Sequence, residues 1–118
     1  MRVLIVDDEL ELVAALVERL DLRGIHAEGA DSGAAALQKV QSGAYDVALV
    51  DFKMPGMDGM DLIRLLQKDH PDLKVIMMTG HCDAESQERS KAAGAWDCLV
   101  KPVHLDTLLE VLRQAVQK

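Results

Sequence analysis

Val47-Ala48-Leu49-Val50-Asp51-Phe52-Lys53-Met54-Pro55-Gly56-Met57-Asp58-Gly59 decides the fold. Four apolar residues run into a carboxylate, and a proline and two glycines follow it closely. The pattern is that of a buried strand delivering Asp51 into a loop. A run without polar alternation suits a parallel sheet covered by helices on both faces, and ligands of such sheets collect beyond the carboxyl ends of the strands. Working outward, three more runs end in the same way. Val3-Leu4-Ile5-Val6 leads to Asp7-Asp8, Val75-Ile76-Met77-Met78 to Thr79-Gly80, and Leu99-Val100 to Lys101-Pro102. Laid side by side, these strands bring three carboxylates, a hydroxyl and an ammonium to one edge.

Helical spacing fills the intervals. Leu10, Leu12, Val13, Leu16, Val17 and Leu20 recur at the period of an amphipathic helix, with Asp8 as its expected N-cap and Gly24 at its end. Ile25 to Gly29 reads as a second strand, and its His26 and Glu28 place it toward the sheet edge. Asp31-Ser32 caps an alanine-rich helix that stops at Ser42-Gly43, and Asp58 is expected to cap a helix closed by His70-Pro71. Lys74 to Thr79 is strand four. Asp83 caps a polar helix ended by Gly94, and its thin apolar face predicts the least firmly packed helix. Trp96 to Val100 is strand five, and Leu105, Leu108, Leu109, Val111, Leu112 and Val116 mark the last helix. Alternation of five strands and five helices predicts an α/β fold, a single doubly wound five-stranded parallel sheet with right-handed crossovers and helices on both faces. The order 2-1-3-4-5, taken by analogy with sheets of this kind, puts a switch point between strands one and three, where the Asp7, Asp8 and Asp51 loops meet.

With 118 residues the chain is long enough for one domain with a real core and no covalent staples. No apolar run approaches bilayer length and no leader-like segment opens the chain, so a cytoplasmic protein is expected. Cys82 and Cys98 are accordingly expected as two reduced thiols. The formal charge of -7 disfavours nucleic acid and anionic membranes as direct partners.

Three crowded carboxylates must share protons or hold a cation. Oxygen donors without cysteine or imidazole describe a hard divalent ion such as Mg²⁺, whose shell is usually completed by water and phosphate oxygens. Beside it, Asp51 is placed to act as a nucleophile toward phosphorus, with the Thr79 hydroxyl and the Lys101 ammonium offsetting charge on the phosphoryl oxygens.

Taken together, Asp7-Asp8, the Asp51 to Gly59 stretch, Thr79-Gly80-His81 and Gly94 to Pro102 resemble the receiver domain of two-component response regulators, over essentially the whole chain, residues 1–118. The resemblance implies a flavodoxin-like fold and a phosphoacceptor at Asp51. It implies Asp8 and Asp51 as direct Mg²⁺ ligands, Asp7 as a ligand through water, Lys53 as a donor of its main-chain carbonyl, and Thr79 and Lys101 on the phosphoryl group. It implies a cis peptide at Lys101-Pro102, and roles for Lys53 and His81 in phosphate lifetime. The phosphodonor would be a histidine kinase, a phosphotransfer protein or a small phosphodonor, in a phosphorelay in which the chain catalyses its own transfer without being a conventional enzyme. An output domain or partner would read residues 83 to 116, and a homodimer on phosphorylation belongs to the same expectation. One departure stands out: the family usually carries tyrosine or phenylalanine three residues before the lysine, and here that position is Cys98. Weak rearrangement of the 83 to 116 face is therefore expected.

Two other readings compete. A haloacid-dehalogenase-type phosphohydrolase also uses a strand-end aspartate, but needs a second acid two residues on, where this chain has Lys53. A receiver-like module that is never phosphorylated and serves only as an interaction surface is kept open by Cys98 and opposed by the intact Asp, Thr and Lys positions. His81, Cys82, Cys98 and His104 match no zinc spacing, and His26 and His70 are read as surface residues. Trp96 is read as packing at the sheet margin. Because nothing follows Lys118, the chain is expected to be either a stand-alone regulator or a domain of a longer one.

Overall fold

The computed structural model describes every residue except Pro55, Asp58 and Lys118. Ten elements alternate: β1 (Arg2–Val6), α1 (Leu10–Asp21), β2 (His26–Ala30), α2 (Gly33–Ser42), β3 (Val47–Asp51), α3 (Gly59–Asp69), β4 (Lys74–Thr79), α4 (Ala84–Ala93), β5 (Asp97–Val100) and α5 (Leu105–Val116). All pairings are parallel and the order is β2-β1-β3-β4-β5. The expected sheet is therefore the observed one.

The strands divide their side chains between two half-cores, as a period of two requires. Leu4, Val6, Ala48, Val50, Val75 and Met77 face α2 and α3, meeting Ala36, Val40, Leu62, Ile63 and Leu66. Val3, Ile5, Val47, Leu49, Ile76 and Met78 face α1 and α5, meeting Leu16, Leu20, Leu108 and Leu112. Every residue of β3 is buried, which is why its sequence shows no alternation. Each fully buried aliphatic side chain contributes about 2 kcal/mol relative to exposure, so two complete layers hold the sheet without covalent help.

Local signals place the helix ends. Ser32 accepts the Ala35 N–H at 3.1 Å and Asp83 accepts the Ser86 N–H at 2.8 Å, as expected of N-caps. Gly94 closes α4 at a φ of 118°, a left-handed conformation that favours glycine. Gly59 opens α3 so close to the β3 end that an added Cβ would lie 2.8 Å from the Phe52 Cα. The expected Asp58 cap lies outside the described residues.

Several boundaries differ from expectation, among them the end of β2, which runs to Ala30 rather than Gly29. Asp8 does not cap α1: the N-cap is Glu9, with no side-chain cap, and its N–H is instead taken by Asp7 Oδ1 at 3.0 Å. Strand two begins at His26 because the Ile25 N–H bonds back to the Leu20 carbonyl and register with β1 starts at His26. Strand five begins at Asp97, one residue after Trp96. The Lys101-Pro102 peptide is cis.

Candidate functional site

Register builds the site. Val6 pairs with Val50, so the next residues, Asp7 and Asp51, leave adjacent strands together. Asp51 pairs with Met78 and Thr79 with Val100, which sets Thr79 and Lys101 along the same edge. The Lys101 N–H donates to the Thr79 carbonyl at 2.7 Å, fixing the β4 and β5 ends to each other.

Carboxylate oxygens of Asp7, Asp8 and Asp51 all lie within 4.8 Å of one another. Asp7 is fully buried, Asp51 nearly so, and Asp8 is exposed. The Lys101 ammonium donates to Asp7 at 3.0 Å, to Glu9 at 3.0 Å and to Asp51 at 3.3 Å. One cation thus serves several anions and leaves negative charge in excess. Burial pushes the Asp51 carboxyl above its ordinary range and the Asp7 charge adds to this, while Lys101 and a backbone hydrogen bond from Lys53 pull the other way without cancelling it. Burial works against the Lys101 charge, but hydrogen bonds to Asp7 and Glu9 outweigh it and raise that pKa.

This all-oxygen donor set fits a hard divalent ion. Exposed Asp8 leaves room for water in the shell, as Mg²⁺ requires, and the only such acidic group among the described residues is this one. A cavity of about 590 Å³ opens over it, lined on the near side by Asp8, Glu9, Asp51, Lys53, Thr79 and Lys101. It continues past Gly80 and His81 to Ser86 in the first half of α4 and Arg89 at its middle. There is room for a hydrated ion and a phosphoryl group.

The model of the response regulator receiver domain matches residues 3–113. The chain belongs to that family. Among curated relatives, this receiver domain is 38% identical over 117 residues to the C4-dicarboxylate transport transcriptional regulatory protein DctD of Pseudomonas aeruginosa, covering 98% of this chain and 25% of that protein. It is 34% identical over 112 residues to the DNA-binding transcriptional regulator NtrC of Escherichia coli, covering 95% of this chain and 24% of that one. The chain therefore spans about a quarter of these relatives. Among solved structures, a CheY-like receiver domain protein from Methanospirillum hungatei superposes with a TM-score of 0.92 at 33% identity, covering 98% of this chain and 93% of that one. TrrA of Thermotoga maritima, in complex with Mg²⁺-BeF, gives 0.86 at 32% identity, each chain covered to 98%.

Every expected site residue of the receiver domain is at this edge: Asp7, Asp8 and Asp51 in the cluster, Lys101 bonded to it, and Thr79 and Lys53 on the cavity wall. Glu9 was not expected to take part. The signal that could have found it is the unbroken acidic run Asp7-Asp8-Glu9.

The cysteine expectation is overturned. Cys82 and Cys98 form a disulfide. They stand 16 residues apart in sequence, and only the parallel packing of β4 beside β5 brings the β4–α4 loop over Cys98. His81 pairs with Asp83 at 3.0 Å and His26 with Glu28 at 2.8 Å, so neither is a ligand in the acidic group. Trp96 packs at the margin of the α1/α5 half-core.

Proposed function

We propose that residues 1–118 form one receiver domain that accepts a phosphoryl group on Asp51, with Mg²⁺ held by Asp7, Asp8, Asp51 and the Lys53 carbonyl. The observation that carries this is the nearly buried Asp51, within reach of a second and third carboxylate and 3.3 Å from an ammonium. When bound, Mg²⁺ offsets negative charge on the carboxylates and on one phosphoryl oxygen. Asp51 supplies the attacking oxygen: its bond to phosphorus forms as the bond from phosphorus to the donor's nitrogen or oxygen breaks, and the donor departs with that electron pair. Lys101, held by Asp7 and Glu9, presents positive charge to a phosphoryl oxygen, and Thr79 offers a hydroxyl proton to another. Lys53 and His81 border the cavity and set how readily water reaches the phosphoryl group.

The donor is a histidine kinase or phosphotransfer protein, or a small acyl phosphate, and the chain promotes its own phosphorylation and dephosphorylation. The response is read by an output domain, a partner or a second copy at residues 83 to 116, where Val100 is 53% exposed and Val116 42% exposed. None of the described helices is long and apolar enough to cross a membrane, and a cytoplasmic setting agrees with a kinase-fed site. Intact mass after incubation with acetyl phosphate and Mg²⁺ tests the reading. One added phosphoryl group is expected, absent in Asp51→Asn, and an unmodified chain or a modified variant defeats it.

A further inference from the structure

We infer that the Cys82–Cys98 disulfide is a redox gate between the phosphoryl site and the α4–β5 surface, an inference that rests on the phosphoacceptor reading of Asp51. Cys82 lies three residues after Thr79 and Cys98 three residues before Lys101. The bond therefore joins the two segments that supply the hydroxyl and the ammonium. Up to Thr79 and Lys101 the floor is fixed by sheet pairing and the 2.7 Å backbone bond. Beyond Thr79 little holds the chain. Gly80 is exposed with open space around it, and the His81 N–H reaches the Thr79 hydroxyl at a long 3.3 Å.

Nor does α4 hold the loop by packing, since Ser90 is its one buried residue. The ring closed by the disulfide contains all of α4. A phosphoryl group on Asp51 is a charged acceptor for the Thr79 hydroxyl proton, and a turn of Thr79 toward it would stretch the already long bond that Thr79 accepts from the His81 N–H and displace Gly80, His81 and the start of α4. With Cys82 bonded to β5 that displacement has nowhere to go. With the bond open, a helix held this loosely follows it.

Both cysteines are only half-buried, so a dithiol can reach them. Its thiolate attacks one sulfur, the chain's S–S bond breaks, and the mixed disulfide resolves to an oxidised cyclic reductant and two protein thiols. Two electrons and two protons pass to the chain, and exchange with a disulfide donor reverses the step. Where intracellular disulfides occur, they are usually transient or sensing, as a gate requires.

Amide chemical shifts test this, recorded with and without beryllofluoride and Mg²⁺ on the oxidised chain, the chain reduced with dithiothreitol, and the Cys82→Ser/Cys98→Ser variant. Changes in the oxidised chain should stay near Asp51, Thr79 and Lys101, and in the other two should spread through residues 83 to 100. Equal spread, or wider spread in the oxidised chain, overturns the gate, as does a bond that dithiothreitol leaves closed by thiol count. Should the variant fail to fold, the reduced chain carries the comparison. Intact mass with acetyl phosphate separates the two readings: a phosphoryl group in both redox states with equal spread sinks the gate alone, and none in either state removes the phosphoacceptor reading and the gate with it.

Discussion

β3 with α3 and β5 with α4 lie under the same edge, yet they are held in different ways. α3 buries Met60, Leu62, Ile63 and Leu66 along one face, while α4 buries only Ser90. β3 is central and wholly buried; β5 is the sheet margin, with Leu99 alone buried. The proposed acceptor carboxylate thus sits on the part of the molecule least able to move, and the loop proposed to answer it sits on the part most able to. A covalent tie substitutes there for packing. Local stability follows apolar burial, so the two halves should respond to perturbation independently.

The sharpest way to probe the contrast is where the halves meet, at the ammonium that the β5 end presents to the β3 carboxylate. Lys101→Ala should slow phosphoryl incorporation from acetyl phosphate by about 100-fold, the usual cost of removing one aligned electrostatic partner. Timed intact-mass measurements read this, and an unchanged rate would show that Lys101 serves only to neutralise Asp7. Next come packing changes. Leu66→Ala should cost about 2–5 kcal/mol in urea unfolding, against under about 0.5 kcal/mol for Glu88→Ala on the exposed side of α4. Comparable losses would erase the contrast. Opening the disulfide should lower stability by about 3 kcal/mol, the loop-closure value for a ring of this size. Hydrogen exchange should then accelerate in α4 well before α3; simultaneous acceleration would mean that the halves are one cooperative unit.

The smallest effect lies at the opposite margin, on β2. Glu28 accepts from Tyr45 at 2.9 Å and Arg2 at 3.0 Å and sits 2.8 Å from His26. Its pKa is lowered from 4.5 to about 2, with the His26 hydrogen bond the largest cause and that of Tyr45 next. Because the folded value lies below the unfolded one, the stabilisation is complete above about 4.5 and is lost as pH falls toward 2. Glu28→Gln should therefore cost about 1 kcal/mol at pH 7, discounted for partial exposure, and progressively less as pH falls through about 2. A pH-independent difference would assign the cost to packing.

Much of this was legible from residues alone, for reasons that differ by element. β3 announced itself because a strand buried on both faces permits no polar residue, and Asp51 marked its end because nothing else in the run could be charged. Ser32, Asp83 and Gly94 declared their helix ends through local hydrogen bonding and backbone conformation, which depend on neighbours in sequence. The start of α1 was misread for the converse reason. Asp8 had the right chemistry for a cap, but α1 starts one residue later, after Glu9, and it is Asp7 that accepts the Glu9 N–H while its other oxygen accepts from Lys101.

By itself the sequence determined the alternation of elements, the two-sided burial of the sheet and the residues that meet at its carboxyl edge. Each of those follows from periodicity and strand direction, which are local properties. Only the tertiary structure decided that Glu9 shares Lys101 with the acidic pair and that Cys82 meets Cys98. Those contacts join residues distant along the chain, and no local preference encodes a distance that depends on how β4 and β5 lie together.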